Sequence, residues 1–220
     1  MIMLKESISF WKRTILPSYR FVELKMREQE HDLTSFCFEE NIFQLWNLEY
    51  ICCLTDEILE RVGKGLVLEV CAGDGQLTHW LKQRGVNILA TDNFSWGKGP
   101  KSKFQNQIDA IFPVENMEAL EAIDFYKPEM VIVSWISYGS DLDVKILKKQ
   151  VPYFIVIGEE QHGCTGSVEF WEEYEKLGYK LTWTECDQWN LCRTDYAWKD
   201  NPISRHSSTA ILKKCRVTKQ

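Results

Sequence analysis

The clearest pattern of apolar and polar positions lies between residues 66 and 92. Residues 66–68 are apolar strand formers, which is typical of a buried strand in a parallel sheet. A turn containing Gly73 and Gly75 follows, where glycine lets the backbone bend sharply and lets a ligand approach the main chain. The next apolar positions share one helical face and are Leu77, Trp80 and Leu81. The pattern predicts a strand, a tight turn and a helix.

A second strand completes this unit. Gly85 is expected to end the helix in a left-handed conformation, and residues 86–90 form the next apolar run, with Asp92 at its carboxyl end. Ligands of open parallel sheets bind beyond the carboxyl ends of the strands. There the helix N-terminus should offer free N–H groups to an anionic part of a ligand, and Asp92 should accept hydrogen bonds from both hydroxyls of a ribose. The unit therefore predicts a nucleoside-like ligand without a diphosphate.

The glycine turn matches neither a dinucleotide fingerprint nor a phosphate loop. A dinucleotide fingerprint requires a third glycine where Thr78 stands. A phosphate loop requires Gly-Lys-Ser/Thr, which neither residues 63–65 nor residues 97–99 supply. A purely structural turn stays open for an isolated Gly-x-Gly. Glu69 before the turn and Asp92 after it, at the spacing of a βαβ unit, favour a ligand site over that alternative.

Residues 69–75 (EVCAGDG) resemble the first motif of class I S-adenosylmethionine-dependent methyltransferases, an acid followed by alternating glycines. Asp92 resembles the acid that holds the ribose in that family, whereas Cys71 stands where its first glycine usually lies. The resemblance implies an α/β fold: a doubly wound, mostly parallel seven-stranded sheet with an antiparallel last strand. It further implies a Rossmann-like methyltransferase domain at residues 63–220, preceded by a helical extension or cap at residues 1–62.

The same resemblance implies S-adenosyl-L-methionine as the cofactor. Glu69 and residues 73–75 would hold its methionine end, and Asp92 its ribose. Met117 and Glu118, just past the third strand, would flank the adenine. The full set of cofactor-binding candidates is Glu69, Cys71, Gly73, Asp74, Gly75, Asp92, Asn93, Met117, Glu118, Ser134 and Trp135.

Further apolar runs predict the remaining elements. The expected strands cover residues 113–117, 130–133, 153–157, 179–184 and 208–213. Apolar residues repeating every three or four positions predict a helix over residues 39–62, ended by Gly63. Asp141 and Ser167 are expected to cap the helices that follow them.

The loops after the fourth and fifth strands, and an insert at residues 187–206, supply candidates for the chemistry of the methyl acceptor. In the family the fourth strand ends beside the transferred methyl. A carboxylate or an imidazole in these loops could accept the acceptor's proton. Solvated carboxylates and a peripheral surface insert are the competing interpretations. The candidate catalytic residues are Tyr138, Glu160, His162 and His206.

The composition limits the classes of partner that the protein is expected to bind. A net charge of −6 and a sequence pI near 5.4 argue against a nucleic-acid partner, because phosphate binding requires a basic face. No signal peptide or membrane span is expected. The eight cysteines form no CxxC pair, which favours reduced, buried thiols in a cytoplasmic protein. A zinc site built from His162 and Cys164, or from Cys186 and Cys192, lacks the usual ligand spacing, so no metal is expected.

These observations favour a methyltransferase acting on a small or medium-sized molecule. Nine tryptophans indicate an aromatic-lined pocket, with simple core filling as the alternative. A protein methyltransferase remains open, because the acidic balance suits a basic protein substrate. A non-catalytic protein that retains the fold remains open as well, since a fold does not determine a function. A homodimer is possible.

Overall fold

The computed structural model describes residues 14–28, 37, 42–95, 110–160, 163, 165–192 and 207–215. Two helices precede the first strand, α1 (Tyr19–Glu28) and α2 (Leu48–Val62). The later elements are, in order, β1 (Val67–Val70), α3 (Gln76–Gln83), β2 (Ile88–Asp92), β3 (Glu115–Asn116), α4 (Ala119–Tyr126), β4 (Met130–Ser134), α5 (Leu142–Lys148), β5 (Tyr153–Glu159), α6 (Val168–Glu173), β6 (Tyr179–Trp183), a 3-10 helix (Glu185–Trp189) and β7 (Ser207–Lys214).

The seven strands form one sheet in the order β3-β2-β1-β4-β5-β7-β6. Strands β1 to β5 pair in parallel, and β7 runs antiparallel to both β5 and β6. This arrangement confirms the predicted fold class. The chain passes from β1 outward to β2 and β3 and then returns to β4 on the other side of β1. The carboxyl ends of β1 and β4 therefore border a topological switch point, where sheets of this kind bind ligands.

Helices cover both faces of the sheet because strand side chains alternate between them. On one face, Val67 and Ile132 pack in a buried cluster with α2 and α3. On the other face, Leu68 and Val133 pack with α4, α5 and α6. Helix α2 thus shares a core with the sheet. The proposed domain boundary after residue 62 stays a prediction.

Helix α2 starts nine residues later than the predicted start at residue 39, at Leu48. Asn47 has an extended backbone, and its side-chain oxygen accepts a hydrogen bond from the N–H of Tyr50 at 2.9 Å, which caps the helix. Gln44 forms an isolated antiparallel bridge with Cys192. The apolar spacing before Asn47 therefore belongs to an extended segment, which is held by pairing with a distant part of the chain.

Other boundaries follow local chemistry. Ser167 caps α6 as predicted, accepting a hydrogen bond from the N–H of Phe170 at 3.1 Å. Asp141 occupies the N-cap position of α5 as predicted, but its carboxylate makes no capping hydrogen bond and pairs with Lys145 at 2.8 Å. Glu159, predicted to lie in a loop, is the last residue of β5.

The described cysteines are free thiols that differ in exposure. Cys186 and Cys192 are buried, whereas Cys71 and Cys215 are exposed, so the prediction of buried thiols is wrong for the latter two. Across the described ranges, no three His, Cys, Asp or Glu side chains are placed to hold a metal ion. The zinc candidate Cys164 lies outside those ranges. No helix in the described part of the chain combines the length and apolarity needed to cross a membrane.

Candidate functional site

A cleft of about 330 Å³ opens at the carboxyl ends of β2, β1 and β4, a volume within the usual range of ligand pockets. Its lining comes from the segment before α2 and from the loops after these three strands. The lining residues are Ile42, Phe43, Gln44, Trp46, Glu69, Cys71, Ala72, Gly73, Asp74, Gln76, Leu77, Asp92, Asn93, Phe94, Ser95, Ser134, Trp135, Ile136, Ser137, Ser140 and Leu142. The cleft thus lies where the strand order predicts a ligand.

Asp92 joins the first and second strands at this edge. Its Oδ2 accepts a hydrogen bond from the backbone N–H of Gly73 at 2.9 Å, and its Oδ1 accepts one from the N–H of Phe94 at 2.6 Å. A carboxylate oxygen has two lone pairs, so each oxygen of Asp92 keeps acceptor capacity for a ligand. The two backbone bonds fix the carboxylate in the cleft and tie it to the glycine turn.

Glu69 is a buried acid in the wall of the cleft, with about 1% of its surface exposed. Its Oε2 accepts hydrogen bonds from the N–H of Thr78 at 3.0 Å and from the Thr78 hydroxyl at 2.6 Å. Burial raises the pKa of Glu69 to about 8, and the nearby carboxylates of Asp74 and Asp92 act in the same direction, whereas the Thr78 bonds lower it. The carboxyl group is therefore largely protonated at neutral pH.

The N-terminus of α3 does not offer the free N–H groups that the sequence suggested. The N–H of Gln76 donates to Oδ1 of Asp74 at 3.1 Å, and the N–H of Thr78 donates to Glu69. Carboxylates beside the turn satisfy these donors, as side chains commonly do at helix starts.

Three residues of the cleft have the left-handed backbone that non-glycine residues rarely adopt. They are Cys71 (φ 55°), Phe94 (φ 50°) and Trp135 (φ 57°), each at the end of a different strand of the switch region. Such strain concentrates at functional sites, where the surrounding structure enforces it. The position of Cys71 explains why related motifs use glycine there.

Cys71 and Gly75, at the two ends of the turn after β1, lie in different surroundings. Although Cys71 is exposed to solvent in the cleft, desolvation of its thiol by the surrounding atoms raises its pKa to about 12, with the Asp92 carboxylate adding to the shift, so the thiol is neutral. Gly75 has φ 80°, and a Cβ there would lie 2.7 Å from Cγ2 of Val114. Gly75 is therefore required for packing against the segment that leads into β3.

The predicted adenine-flanking residues lie beside the cleft and do not line it. The N–H of Met117 donates to the backbone oxygen of Asp92 at 3.1 Å. The carboxylate of Glu118 accepts a hydrogen bond from the Asn93 side chain at 3.0 Å. Asn93 itself lines the cleft, so Glu118 is connected to the cleft through it.

Ser134 and Trp135 form the wall opposite Asp92. The N–H of Trp135 donates to the oxygen of Ile157 at 2.8 Å, which anchors the loop after β4 to β5. The indole N–H donates to Oε1 of Gln44 at 3.1 Å, and the ring centroid lies 5.8 Å from that of Phe43. Aromatic side chains therefore line this end, as the tryptophan content predicted.

Neither of the two candidate catalytic residues that the structure describes lines the cleft. Tyr138 is 72% exposed, because the turn that carries it is bonded to the loop after β5 through Gly139 N–H and the Gly166 oxygen, at 2.9 Å. Glu160 is exposed as well, and neither side chain lines the cleft. His162 and His206 lie outside the described residues. A catalytic role for these four residues stays a prediction.

The sequence patterns gave no sign of a buried polar network behind the aromatic wall. Gln44 Nε2 donates to the side-chain oxygen of Asn190 at 3.1 Å, and Asn190 donates to Asp187 at 3.3 Å. Asp187 accepts the N–H of Thr209 at 2.7 Å, and the Thr209 hydroxyl lies 2.7 Å from that of Tyr50. Gln44 and Asn190 are 146 residues apart, so no local spacing could have indicated this contact.

No protein-family profile matches this chain, and no curated protein sequence matches it. Solved structures with similar folds include three methyltransferases. Magnesium protoporphyrin IX methyltransferase from Synechocystis, with bound S-adenosylmethionine, has 10% identity and a TM-score of 0.46, covering 75% of this chain and 78% of that one. An S-adenosylmethionine-dependent O-methyltransferase from Thermotoga maritima has 10% identity and a TM-score of 0.47, with 85% and 73% covered.

The third is 1,6-didemethyltoxoflavin-N1-methyltransferase from Burkholderia thailandensis, with 11% identity, a TM-score of 0.42, and 76% and 79% covered. At these scores the individual similarities concern the fold and identify no substrate. The order of the seven strands, with β7 antiparallel between β5 and β6, is the feature that defines the architecture. The chain has a Rossmann-like, doubly wound and mostly parallel seven-stranded sheet with an antiparallel last strand, as the sequence predicted.

Proposed function

We propose that this protein is an S-adenosylmethionine-dependent methyltransferase that acts on a small or medium-sized molecule. The observation that carries the proposal is the placement of Asp92. Asp92 is the last residue of β2. Its carboxylate accepts a hydrogen bond from Gly73, in the turn after β1, and faces a cleft at the switch point of the sheet. This is the position from which an acid can accept hydrogen bonds from ribose hydroxyls.

The charges of the cleft fit this cofactor. Its described lining contains the carboxylates of Asp74 and Asp92, the largely protonated carboxyl of Glu69, and neither lysine nor arginine. Such a lining favours a ligand with cationic groups over one with phosphates. S-adenosylmethionine carries a sulfonium and an ammonium on an adenosine without phosphate, so its chemistry matches the residues present.

Each part of the cofactor has candidate partners. Glu69 and residues 73–75 would hold the methionine end, Asp92 the ribose, and Asn93, supported by Glu118, the adenine edge. Cys71 supplies a neutral thiol in the turn and adds no charge. These residues share a position at or just beyond the carboxyl ends of β1, β2 and β3.

The cofactor supplies an already activated methyl group, so the protein needs little covalent chemistry. The described residues would bind the cofactor, orient it towards the wall formed by Ser134 and Trp135, and exclude water from the reacting atoms. Positioning of this kind lowers a barrier because it removes the entropy cost of aligning two reactants.

Isothermal calorimetry with S-adenosylmethionine and S-adenosylhomocysteine tests the proposal directly. We expect both to bind with one site per chain, and binding should raise the melting temperature by linkage. Incubation with methyl-labelled cofactor and a metabolite mixture should then place label in small molecules. If neither ligand binds at millimolar concentration, the proposed cofactor is wrong. If label is recovered only in a basic protein, the methyl acceptor is a protein and not a small molecule.

A further inference from the structure

Acidic residues and non-ionisable residues occupy different ends of the cleft. Glu69, Asp74 and Asp92 lie at the ends of β1 and β2. The other end combines the loop after β4 with the segment before α2. Its described lining residues carry no charge and are Ile42, Phe43, Gln44, Trp46, Ser134, Trp135, Ile136, Ser137, Ser140 and Leu142. Because β1 lies between β2 and β4, this uncharged end is separated from Asp92 by the glycine turn.

The uncharged end is built around aromatic rings. Phe43 and Trp135 contact each other at 5.8 Å between centroids with a 41° tilt. Trp46 also lines the cleft and packs on Tyr50, with centroids 5.5 Å apart. Rings in these relative orientations attract further aromatic rings, which prefer tilted or offset packing.

The side-chain amide of Gln44, which contacts Trp135, is already engaged within the protein. Gln44 is 5% exposed, accepts the indole N–H of Trp135 with its oxygen, and donates to Asn190 with its nitrogen. Its amide therefore holds the wall in place and is not a partner for a charged ligand group. A charge buried here without a partner would carry a large desolvation cost.

We propose that the uncharged end binds the methyl acceptor, and that the acceptor is a neutral, flat aromatic molecule. The inference rests on the proposed function, because it takes the acidic end as the cofactor's place. A cationic acceptor is disfavoured by the neighbouring sulfonium and by the lack of a carboxylate in this described wall. An anionic acceptor is disfavoured by the lack of a lysine or arginine there.

The transfer balances without a catalytic acid or base in this wall. The bond between the methyl carbon and sulfur breaks, and its electron pair stays on sulfur as a thioether. A bond forms between that carbon and a nitrogen, oxygen or sulfur substituent of the acceptor ring. The proton of the substituent leaves to water.

Four probes of similar size test the acceptor class. They are 2-naphthol (neutral and aromatic), 2-naphthoate (anionic), 2-naphthylmethylammonium (cationic) and decahydro-2-naphthol (neutral and saturated). Binding to the full chain is measured by calorimetry near pH 7, with and without saturating S-adenosylhomocysteine. We expect 2-naphthol to bind roughly tenfold or more tightly than each charged probe and about fivefold more tightly than the saturated probe. Equal or tighter binding of any other probe overturns the proposal.

Matched variants locate the binding. Phe43→Leu should weaken 2-naphthol binding about fivefold and leave S-adenosylhomocysteine binding unchanged. Phe125→Leu, at a ring that is 69% exposed and outside the cleft lining, should change neither. If Phe43→Leu unfolds by circular dichroism, Trp46→Leu, at another ring that lines this end of the cleft, replaces it. An unchanged affinity for 2-naphthol in the folded variant overturns the assignment.

The two proposals fail in different ways. If S-adenosylhomocysteine binds and the probes show no preference, the acceptor class is overturned while the cofactor stands. If S-adenosylhomocysteine does not bind, the proposed function fails, and the acceptor assignment fails with it. Selective binding of 2-naphthol that depends on Phe43, in the presence of S-adenosylhomocysteine, supports both.

Discussion

The carboxylate of Asp92 accepts a hydrogen bond from the backbone N–H of Gly73, 19 residues earlier in the chain, at 2.9 Å. The bond links the ends of two neighbouring parallel strands, because β1 and β2 pair up to Val70 and Thr91. It thereby fixes one acidic side chain against the glycine turn that lines the cleft. The proposed cofactor site depends on this pair.

Replacing Asp92 by Asn should weaken S-adenosylmethionine binding. The amide keeps one acceptor oxygen but loses the charge and the second acceptor, and a hydrogen bond to a charged group contributes about 1.5–3 kcal/mol. We therefore expect roughly a tenfold to hundredfold rise in the dissociation constant by calorimetry. Asp56→Asn, at an exposed site on α2, is the matched control. Equal affinities of the two variants would place the ribose elsewhere.

Glu69→Gln should flatten the pH dependence of stability. The folded protein raises the pKa of Glu69 from 4.5 to about 8, so the folded state holds a proton that the unfolded state releases. The stabilisation is complete below pH 4.5 and is lost as the pH rises towards 8. Gln mimics the protonated carboxyl and can still accept from Thr78, so the variant should be the more stable protein at pH 8, by up to a few kcal/mol.

Urea unfolding between pH 4.5 and pH 8 measures this effect. Glu60→Gln, whose side chain is 81% exposed, should retain the wild-type slope. A Glu69→Gln slope that matches the wild type would mean that the buried carboxyl is already ionised at neutral pH.

Cofactor binding should release a proton from Glu69 near pH 7. If the methionine ammonium lies beside this carboxyl, the positive charge favours the ionised form and lowers its pKa. The binding enthalpy should then differ between phosphate and Tris buffers, because the buffer takes up the released proton. The difference should vanish in Glu69→Gln. A buffer-dependent enthalpy that persists in the variant would assign the proton to another group.

The site could be predicted where the chemistry is local. The strand, turn and helix at residues 66–92 are encoded in apolar spacing, and Gly85 has the expected positive φ of 90°. The approach of Asp92 to the glycine turn followed from parallel pairing of neighbouring strands. The acceptor wall was harder to predict, because the apolar spacing of Phe43 and Trp46 also fits a helix. In the structure that segment is extended, and Gln44 pairs with Cys192, far along the chain.

Gln44 and Trp135 should show energetic coupling. Gln44→Leu leaves the indole N–H of Trp135 and the side-chain oxygen of Asn190 without their present partner, and each unsatisfied buried group costs about 1–3 kcal/mol. Trp135→Phe removes the indole donor, so the second substitution should cost less in the Gln44→Leu background. A double-mutant cycle by urea unfolding should give a coupling of about 0.5–3 kcal/mol. Strict additivity would show that this bond does not stabilise the fold.

Asp187→Asn should reduce the pH dependence of folding stability at acidic pH. Burial raises the pKa of Asp187 from 3.8 to about 6, and the Glu160 carboxylate contributes in the same direction, whereas the bonds from Thr209 and Asn190 oppose the shift. Because the folded state retains the proton, this contribution is complete below pH 3.8 and is lost as the pH rises through 6. Asn at this position can accept the same backbone N–H, so the variant should lose that slope and keep the fold.

Melting temperatures between pH 4 and pH 7 test this, with Asp56→Asn as the exposed control. A variant that melts in parallel with the wild type across this range would show that Asp187 is ionised throughout. The polar network behind Trp135 would then contain the negatively charged carboxylate of Asp187 instead of its protonated form.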